Sequence, residues 1–230
     1  MADPAVVVIE DEPQIRRFLR VALGGEGYRV HEASTAADGL VEVATRQPEI
    51  VILDLGLPDG DGLEVIRKLR EWSAVPVIVL SARGQEADKV AALDAGADDY
   101  VSKPFGVGEL MARMRVALRR RARVSDGALD SAFSLGGLQV DLAARRVTVA
   151  GVEVHLTPIE YRLLVSLVHH AGSVITHRQL LGEVWGPNAT EQAHYLRVYM
   201  AHLRRKLEAD AARPRYLLTE AGVGYRLAAE

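Results

Sequence analysis

The sequence predicts an α/β chain in two parts, a doubly wound parallel sheet of five strands followed by a smaller α+β unit. Three observations carry this. Over the first 120 residues, β-branched apolar runs alternate with helix-length amphipathic segments, the pattern of repeated βα units. Residues 122–132, Ala-Arg-Val-Ser-Asp-Gly-Ala-Leu-Asp-Ser-Ala, are small and polar without periodicity and read as a linker. From Phe133 the pattern changes to short strands broken by glycine turns, then helices, then a final pair of strands. The domains are therefore expected at 1–121 and 133–230.

Taken in order, Ala5–Ile9, Ile50–Leu53 and Val75–Leu80 are continuous apolar runs, as strands buried on both faces of a parallel sheet must be. Weaker strands fit Tyr28–Glu32 and Asp99–Val101. Helices fit 13–24, 35–46, 61–72, 85–95 and 107–121. In the second part, Phe133–Val140, Arg146–Ala150 and Val152–Leu156 read as antiparallel strands, with turns near Gly136-Gly137 and Ala150-Gly151. Helices follow at 158–170, 177–184 and 191–208. Thr157-Pro158-Ile159-Glu160 has the makings of a capped start: Thr at the cap, Pro at the first position, Glu at the third. Thr176 is placed to cap the next helix. Tyr216–Thr219 and Tyr225–Leu227 close the chain as a hairpin around a Gly-containing loop. Strands, three helices and a terminal hairpin describe a winged helix-turn-helix.

Composition narrows the class. Hydrophobic residues make up 49% and charged residues 26%, a globular balance. No apolar run approaches the ~18 residues of a membrane span, and no basic-then-apolar leader precedes a cleavage site. Cys is absent, which excludes disulfides and thiolate chemistry. A cytoplasmic protein with no membrane partner is expected. Net charge is −3, yet its distribution is uneven: residues 1–118 hold 20 acidic and 13 basic residues, residues 119–123 add four Arg, and 124–230 balance at 11 each. Any nucleic-acid surface in the second half must come from local clustering.

In an open parallel sheet, ligands bind beyond the carboxyl ends of the strands. The residues at those ends are Glu10-Asp11-Glu12, Asp54, Ser81 and Lys103-Pro104. Carboxylates gathered this closely repel unless they share a cation, and oxygen-only ligands favour Mg²⁺. Asp54, ending a buried strand, can attack a phosphoryl group and carry it. Lys103 and a metal near Asp11 would neutralise the transferring oxygens. Ser81 can either cap the following helix or hydrogen-bond the phosphoryl oxygens. A dinucleotide site is disfavoured, because Glu10-Asp11-Glu12 stands where a Gly-rich phosphate loop would be needed.

These segments, Val8–Glu12, Leu53–Gly62, Ser81-Ala82-Arg83 and Gly96–Phe105, resemble two-component response regulators of the OmpR/PhoB type, and the likeness spans nearly the whole chain. Within that family Asp54–Gly62, Trp72–Pro76 and Val184–Ala189 are similar to regulators of potassium-uptake operons, which implies potassium-transport genes as targets. The resemblance implies a flavodoxin-like receiver domain joined to a DNA-binding winged helix. It implies Asp54 as phosphoacceptor, phosphorylated by a sensor histidine kinase. Glu10, Asp11, Asp54 and the Gly56 carbonyl become the expected Mg²⁺ ligands. Ser81 and Tyr100 match the switch positions, Lys103 the phosphate-binding lysine, and Lys103–Pro104 a cis peptide. Relatives often carry Thr at position 81 and Met at position 56.

Phosphorylation adds roughly −1.5 to −2 charges. A move of Ser81 toward that charge would let Tyr100 rotate inward and remodel the neighbouring surface. The resemblance implies a two-fold homodimer there, paired as Lys89–Glu109, Asp99–Arg113 and Asp98–Arg120. The residues alone favour a solvated charged face; the resemblance favours the interface.

The segment His194–Leu207 sorts into two faces. Leu196, Tyr199, Met200, Leu203 and Leu207 keep core spacing, while His194, Arg197, Ala201, Arg204 and Arg205 project the other way. Such a helix suits the major groove of promoter DNA, where Arg bonds guanine edges or phosphate. The resemblance implies Arg197 and Arg204 as base or phosphate contacts, His194, Tyr195 and Arg205 as backbone contacts, and Thr219 as a contact from the wing. It also sets the loop Trp185–Thr190 where relatives touch RNA polymerase, although Trp185 is equally suited to the core. Two other classes remain open from the residues: a Mg²⁺-dependent phosphohydrolase with Asp54 as nucleophile, and a DNA-binding protein whose first domain is purely structural.

Overall fold

The structure is a computed structural model that describes residues 3–82, 85–125, 132–189 and 193–229. Its chain contacts divide into two units, Met1–Arg121 and Ala122–Glu230.

The first unit runs β1 (Ala5–Ile9), α1 (Pro13–Gly25), β2 (Arg29–Ala33), α2 (Ala36–Arg46), β3 (Ile50–Asp54), β4 (Gly56–Leu57), β5 (Gly60–Asp61), α3 (Gly62–Arg70), β6 (Val77–Ser81), α4 (Glu86–Asp94), β7 (Asp99–Ser102) and α5 (Val107–Ser125). Five strands form one sheet in the order β2-β1-β3-β6-β7, every pairing parallel. Strands β1, β3 and β6 are buried along their whole length. Val6, Val8, Ile52, Ile78 and Leu80 pack with Leu19 and Leu23 of α1 and Leu110, Met111 and Met114 of α5. On the opposite face α2 lies so close that a Cβ on Gly39 would meet Ile9 Cδ1 at 2.5 Å. Burial of each such Val, Leu or Ile contributes about 1.5–3 kcal/mol, which is why these strands carry no polar alternation.

The register ends the strands together. Ile9 pairs with Leu53, Asp54 with Leu80, and Ser81 with Ser102. Helix α2 starts on Thr35, whose hydroxyl accepts from the Asp38 N–H, and Asp59 also accepts from the N–H groups of Ala36 and Ala37. Helix α5 runs past the expected end at residue 121 to Ser125, so the expected linker begins with helical residues. Arg and Ala are strong helix formers and continue a helix without an apolar stripe. Residues 126–131 of that linker lie outside the described residues.

The second unit opens with an antiparallel sheet of β8 (Ala132–Leu135), β9 (Leu138–Asp141), β10 (Arg146–Val149) and β11 (Val152–Glu153), ordered β11-β10-β9-β8. Three helices follow, α6 (Pro158–His169), α7 (His177–Trp185) and α8 (Ala193–Leu207). Capping boxes start α6, from Thr157 and Glu160, and α7, from Thr176 and Gln179. The hairpin β13 (Leu217–Glu220) and β14 (Gly224–Leu227) is joined by β12 (Ile175–Thr176), a strand with no sequence signal of its own. Gly224 makes that pairing possible, since a Cβ there would lie 2.0 Å from the Ile175 carbonyl oxygen. Leu163, Leu167, Leu180, Leu196, Leu203 and Leu217 are central members of one core. No helix among the described residues is long and apolar enough to cross a membrane.

Candidate functional site

The carboxyl edge of the parallel sheet gathers the groups expected there. Glu10 follows β1 and is 1% exposed, while Asp54 closes β3 at 7%. Carboxylate oxygens of Glu10, Asp11 and Asp54 all lie within 4.8 Å of one another. Lys103 reaches in from the loop after β7, its Nζ 2.8 Å from Glu10 Oε2, 3.2 Å from Asp54 Oδ1 and 3.7 Å from Glu12 Oε1. The Gly56 N–H donates to Asp54 Oδ2 at 2.9 Å. Ser81 is buried at the end of β6, and its carbonyl accepts from the Lys103 N–H. The Lys103–Pro104 peptide is cis.

Burial drives the Glu10 carboxyl above its ordinary range, and the neighbouring Lys103 offsets this only in part. For Lys103 burial works toward the neutral amine, but the carboxylates of Glu10 and Asp54 outweigh it and the pKa rises. The pocket is thus an acidic cluster with one fixed ammonium. An oxygen-only donor set with crowded carboxylates fits a hard divalent cation, in which Glu10, Asp11 and Asp54 would be the protein ligands.

The expected switch and dimer residues have partners within the chain. Tyr100, expected to rotate inward, is already buried, with Lys89 Nζ 5.9 Å from its ring centroid. Arg113 donates to both oxygens of Asp99, at 3.0 and 2.8 Å, and to Glu109. Burial opposes that guanidinium's charge, yet Asp99 and Glu109 raise its pKa further. Asp98 accepts from Arg70 and from the Val77 N–H, both at 2.9 Å. The Arg120 side chain lies outside the described residues.

In the second unit α8 buries Leu196, Met200, Leu203 and Leu207, and exposes His194, Tyr195, Arg197 and Arg205. Val198, which the sequence reading did not single out, is also 39% exposed on that helix. Arg204 departs from expectation. Its guanidinium donates to the Leu217 carbonyl and to Thr219 Oγ1, at 2.6 and 2.7 Å from Nη2, and lies over the Tyr225 ring. Arg204 and Thr219 therefore tie α8 to the terminal hairpin. Two more residues, Lys206 and Glu208, hold α8 in place without any sequence signal. Lys206 donates to the buried Glu160 at 2.7 Å, and Glu208 accepts the N–H groups of Arg215, Tyr216 and Leu217. His177, at the start of α7, has a lowered pKa from burial and from the charge of Arg197. Trp185 packs against the core, its ring 5.5 Å from that of Tyr199. Thr190 lies outside the described residues.

Comparison with known proteins agrees with this arrangement. Residues 6–115 match the family described as "Response regulator receiver domain", and residues 151–227 match "Transcriptional regulatory protein, C terminal". The chain is 64% identical over 221 residues to the KDP operon transcriptional regulatory protein KdpE of Escherichia coli (strain K12), covering 96% of this chain and 97% of that protein. It is 51% identical over 224 residues to the transcriptional regulatory protein KdpE of Mycobacterium tuberculosis (strain ATCC 25618 / H37Rv), covering 97% and 99%. Among solved structures, the receiver domain of the Francisella response regulator 1452 superposes with a TM-score of 0.50 at 29% identity, over 52% of this chain and 99% of that one.

Proposed function

Because the chain belongs to the response regulators, with a receiver domain ahead of a transcriptional regulatory C-terminal domain, we propose that phosphoryl transfer to Asp54 sets how tightly the second unit holds promoter DNA. The chain is a two-component response regulator with a DNA-binding output domain, a transcription regulator rather than an enzyme in the ordinary sense. Its likeness to a regulator named for the KDP operon supports a potassium-transport promoter as the target, and a DNA ligand supports a cytoplasmic location.

The phosphoryl donor is a sensor histidine kinase. An Asp54 carboxylate oxygen attacks phosphorus, the P–N bond to the donor imidazole breaks, and the electron pair stays on that imidazole. The mixed anhydride remains on Asp54. Mg²⁺, when bound, neutralises charge on the transferring oxygens. Glu10, Asp11, Asp54 and the Gly56 carbonyl would hold it. Lys103 is already 3.2 Å from Asp54 Oδ1 and pairs with a phosphoryl oxygen after transfer. Ser81 supplies a hydroxyl at the end of the next strand, and Tyr100 responds to its shift.

Two protomers then pair through the face bearing Lys89, Asp98, Asp99, Glu109, Arg113 and Arg120. Arg113 and Asp98 are satisfied within their own chain before activation, so dimerisation exchanges intramolecular partners for intermolecular ones. Asp99 is buried, so its pair with Arg113 is costly to break unless a partner from the second protomer replaces it, and phosphorylation supplies the bias between the two arrangements. His194, Tyr195, Arg197 and Arg205 meet DNA from α8, with Arg204 and Thr219 at the junction with the wing. With Trp185 packed inward, the turn at Pro187–Ala189 carries any contact with RNA polymerase.

One observation carries this reading: Asp54, Glu10, Asp11 and Lys103 converge at one sheet edge in a chain whose other half belongs to a DNA-binding family. Footprinting of the promoter with and without acetyl phosphate and Mg²⁺ tests it. Protection should extend at lower protein concentration after treatment, and Asp54→Asn should abolish that difference.

A further inference from the structure

We propose that Asp59 is a positioning residue for the metal: it fastens the loop carrying Gly56 to helix α2, and so pre-sets the backbone carbonyl that completes the ligand set. This rests on the reading above that Gly56 and the three carboxylates hold Mg²⁺.

After Asp54 the chain doubles back as the ribbon β4–β5, in which Gly56 faces Asp61 and Leu57 faces Gly60. Pro58 and Asp59 form its tip. A two-residue ribbon has too few pairings to hold its own shape. At its base it is tied to the site, by the Gly56 N–H on Asp54 Oδ2 and by the Gly62 N–H on the Leu55 carbonyl at 3.1 Å. At its tip the anchor is Asp59. Oδ1 accepts the Ala36 N–H at 2.7 Å and Oδ2 accepts the Ala37 N–H at 3.0 Å.

Those donors are the first two N–H groups of α2, which have no acceptor inside the helix. Thr35 takes the third, that of Asp38. The helix is therefore capped twice, once by its own Thr35 and once by a carboxylate 22 to 23 residues further along the chain. A negative charge at this end also meets the positive pole of the helix dipole. The two N–H groups hold the Asp59 carboxyl below its ordinary range. With both oxygens committed to α2, Asp59 acts on the metal only through the loop between them.

Groups that support a metal's direct ligands typically change affinity by about 10–100-fold when removed. Asp59 is solvent-exposed and one step further out, so about 3- to 10-fold is expected. The test is calorimetric titration of the full chain with MgCl₂, beside amide hydrogen exchange at Ala36 and Ala37. Asp59→Ala should weaken Mg²⁺ binding by that factor and release both amides from protection. Asp59→Asn, which keeps one acceptor oxygen, should recover part of the loss. Ala36→Pro is a variant in the other element: proline suits the first helical position, and Thr35 at φ −135°, ψ 158° already has the backbone that must precede it. It deletes one of the two donors and should weaken Mg²⁺ binding about as Asp59→Asn does, which carries the test even if Asp59→Ala fails to fold. Unchanged Mg²⁺ affinity in Asp59→Asn and Ala36→Pro, beside a loss in Asp11→Asn, overturns the role of Asp59 and leaves the metal site standing. A wild-type chain that binds no Mg²⁺ overturns the metal reading and Asp59's role with it.

Discussion

The ammonium of Lys103 stands 3.2 Å from Asp54 Oδ1, with both side chains nearly buried. The cation comes from the loop after β7 and the carboxylate from the end of β3, so the fold itself brings them together. Removing one partner of a buried pair costs about 3–5 kcal/mol. Lys103→Met should therefore lower stability in EDTA by roughly 3 kcal/mol. A cation that binds only the native state restores stability by mass action, and Mg²⁺ should stabilise the variant more than the wild type. Thermal melts with and without Mg²⁺ check this; equal gains in both proteins would contradict it.

Glu160 makes the output domain acid-sensitive. Burial alone would raise its pKa, but the bonds from Lys206 and Thr157 outweigh it, and the folded value lies below the ordinary 4.5. The stabilisation is complete above the unfolded pKa and is lost as pH falls through the lower folded value. Glu160→Gln should cost about 1–3 kcal/mol at neutral pH and flatten the acid-side loss. Trp185 fluorescence during unfolding, in a Trp72→Phe background, reads this between neutral pH and the carboxylate range.

Arg197 and Arg204 should differ in kind. Each phosphate neutralised contributes about 0.9 to the slope of log affinity against log salt. Arg197→Ala, losing an exposed cation on α8, should reduce that slope by about one such step if it meets phosphate. Arg204→Ala should lower affinity with a smaller change in slope, because its bonds to Leu217 and Thr219 hold the wing. Hydrogen exchange should show β13 less protected in Arg204→Ala alone.

Gly224→Ala forces a methyl group against the Ile175 carbonyl. Relief requires the backbone of β12 and β14 to separate, and overpacking of this kind costs about 1–3 kcal/mol. The same fluorescence assay should register that loss, while Gly182→Ala, with open space around it, should be neutral or better.

Much of this was legible in the residues because burial leaves a pattern. β1, β3 and β6 read as unbroken apolar runs since both of their faces are covered, and parallel pairing then delivers Glu10, Asp54 and Ser81 to one edge. The apolar stripe of α8 was visible for the same reason. What escaped notice has no local signature. β12 is two residues long and its pairing depends on Gly224, far along the chain. The tie from Arg204 to the wing spans 13 to 15 residues, and that from Asp59 to α2 spans 22 to 23. A polar side chain bound to distant backbone looks, in sequence, like any exposed charge. In sequence Arg204 therefore reads as a DNA contact alone.

Control of DNA binding by Asp54 is open to direct measurement. The most direct measurement is the dissociation constant for promoter DNA, for wild type and Asp54→Asn, before and after acetyl phosphate with Mg²⁺, with intact-mass spectrometry on the same samples. A phosphoryl adduct and tighter binding are expected in the wild type, and neither in Asp54→Asn. An unmodified wild type, or a modified one whose DNA affinity stays the same, would contradict that control.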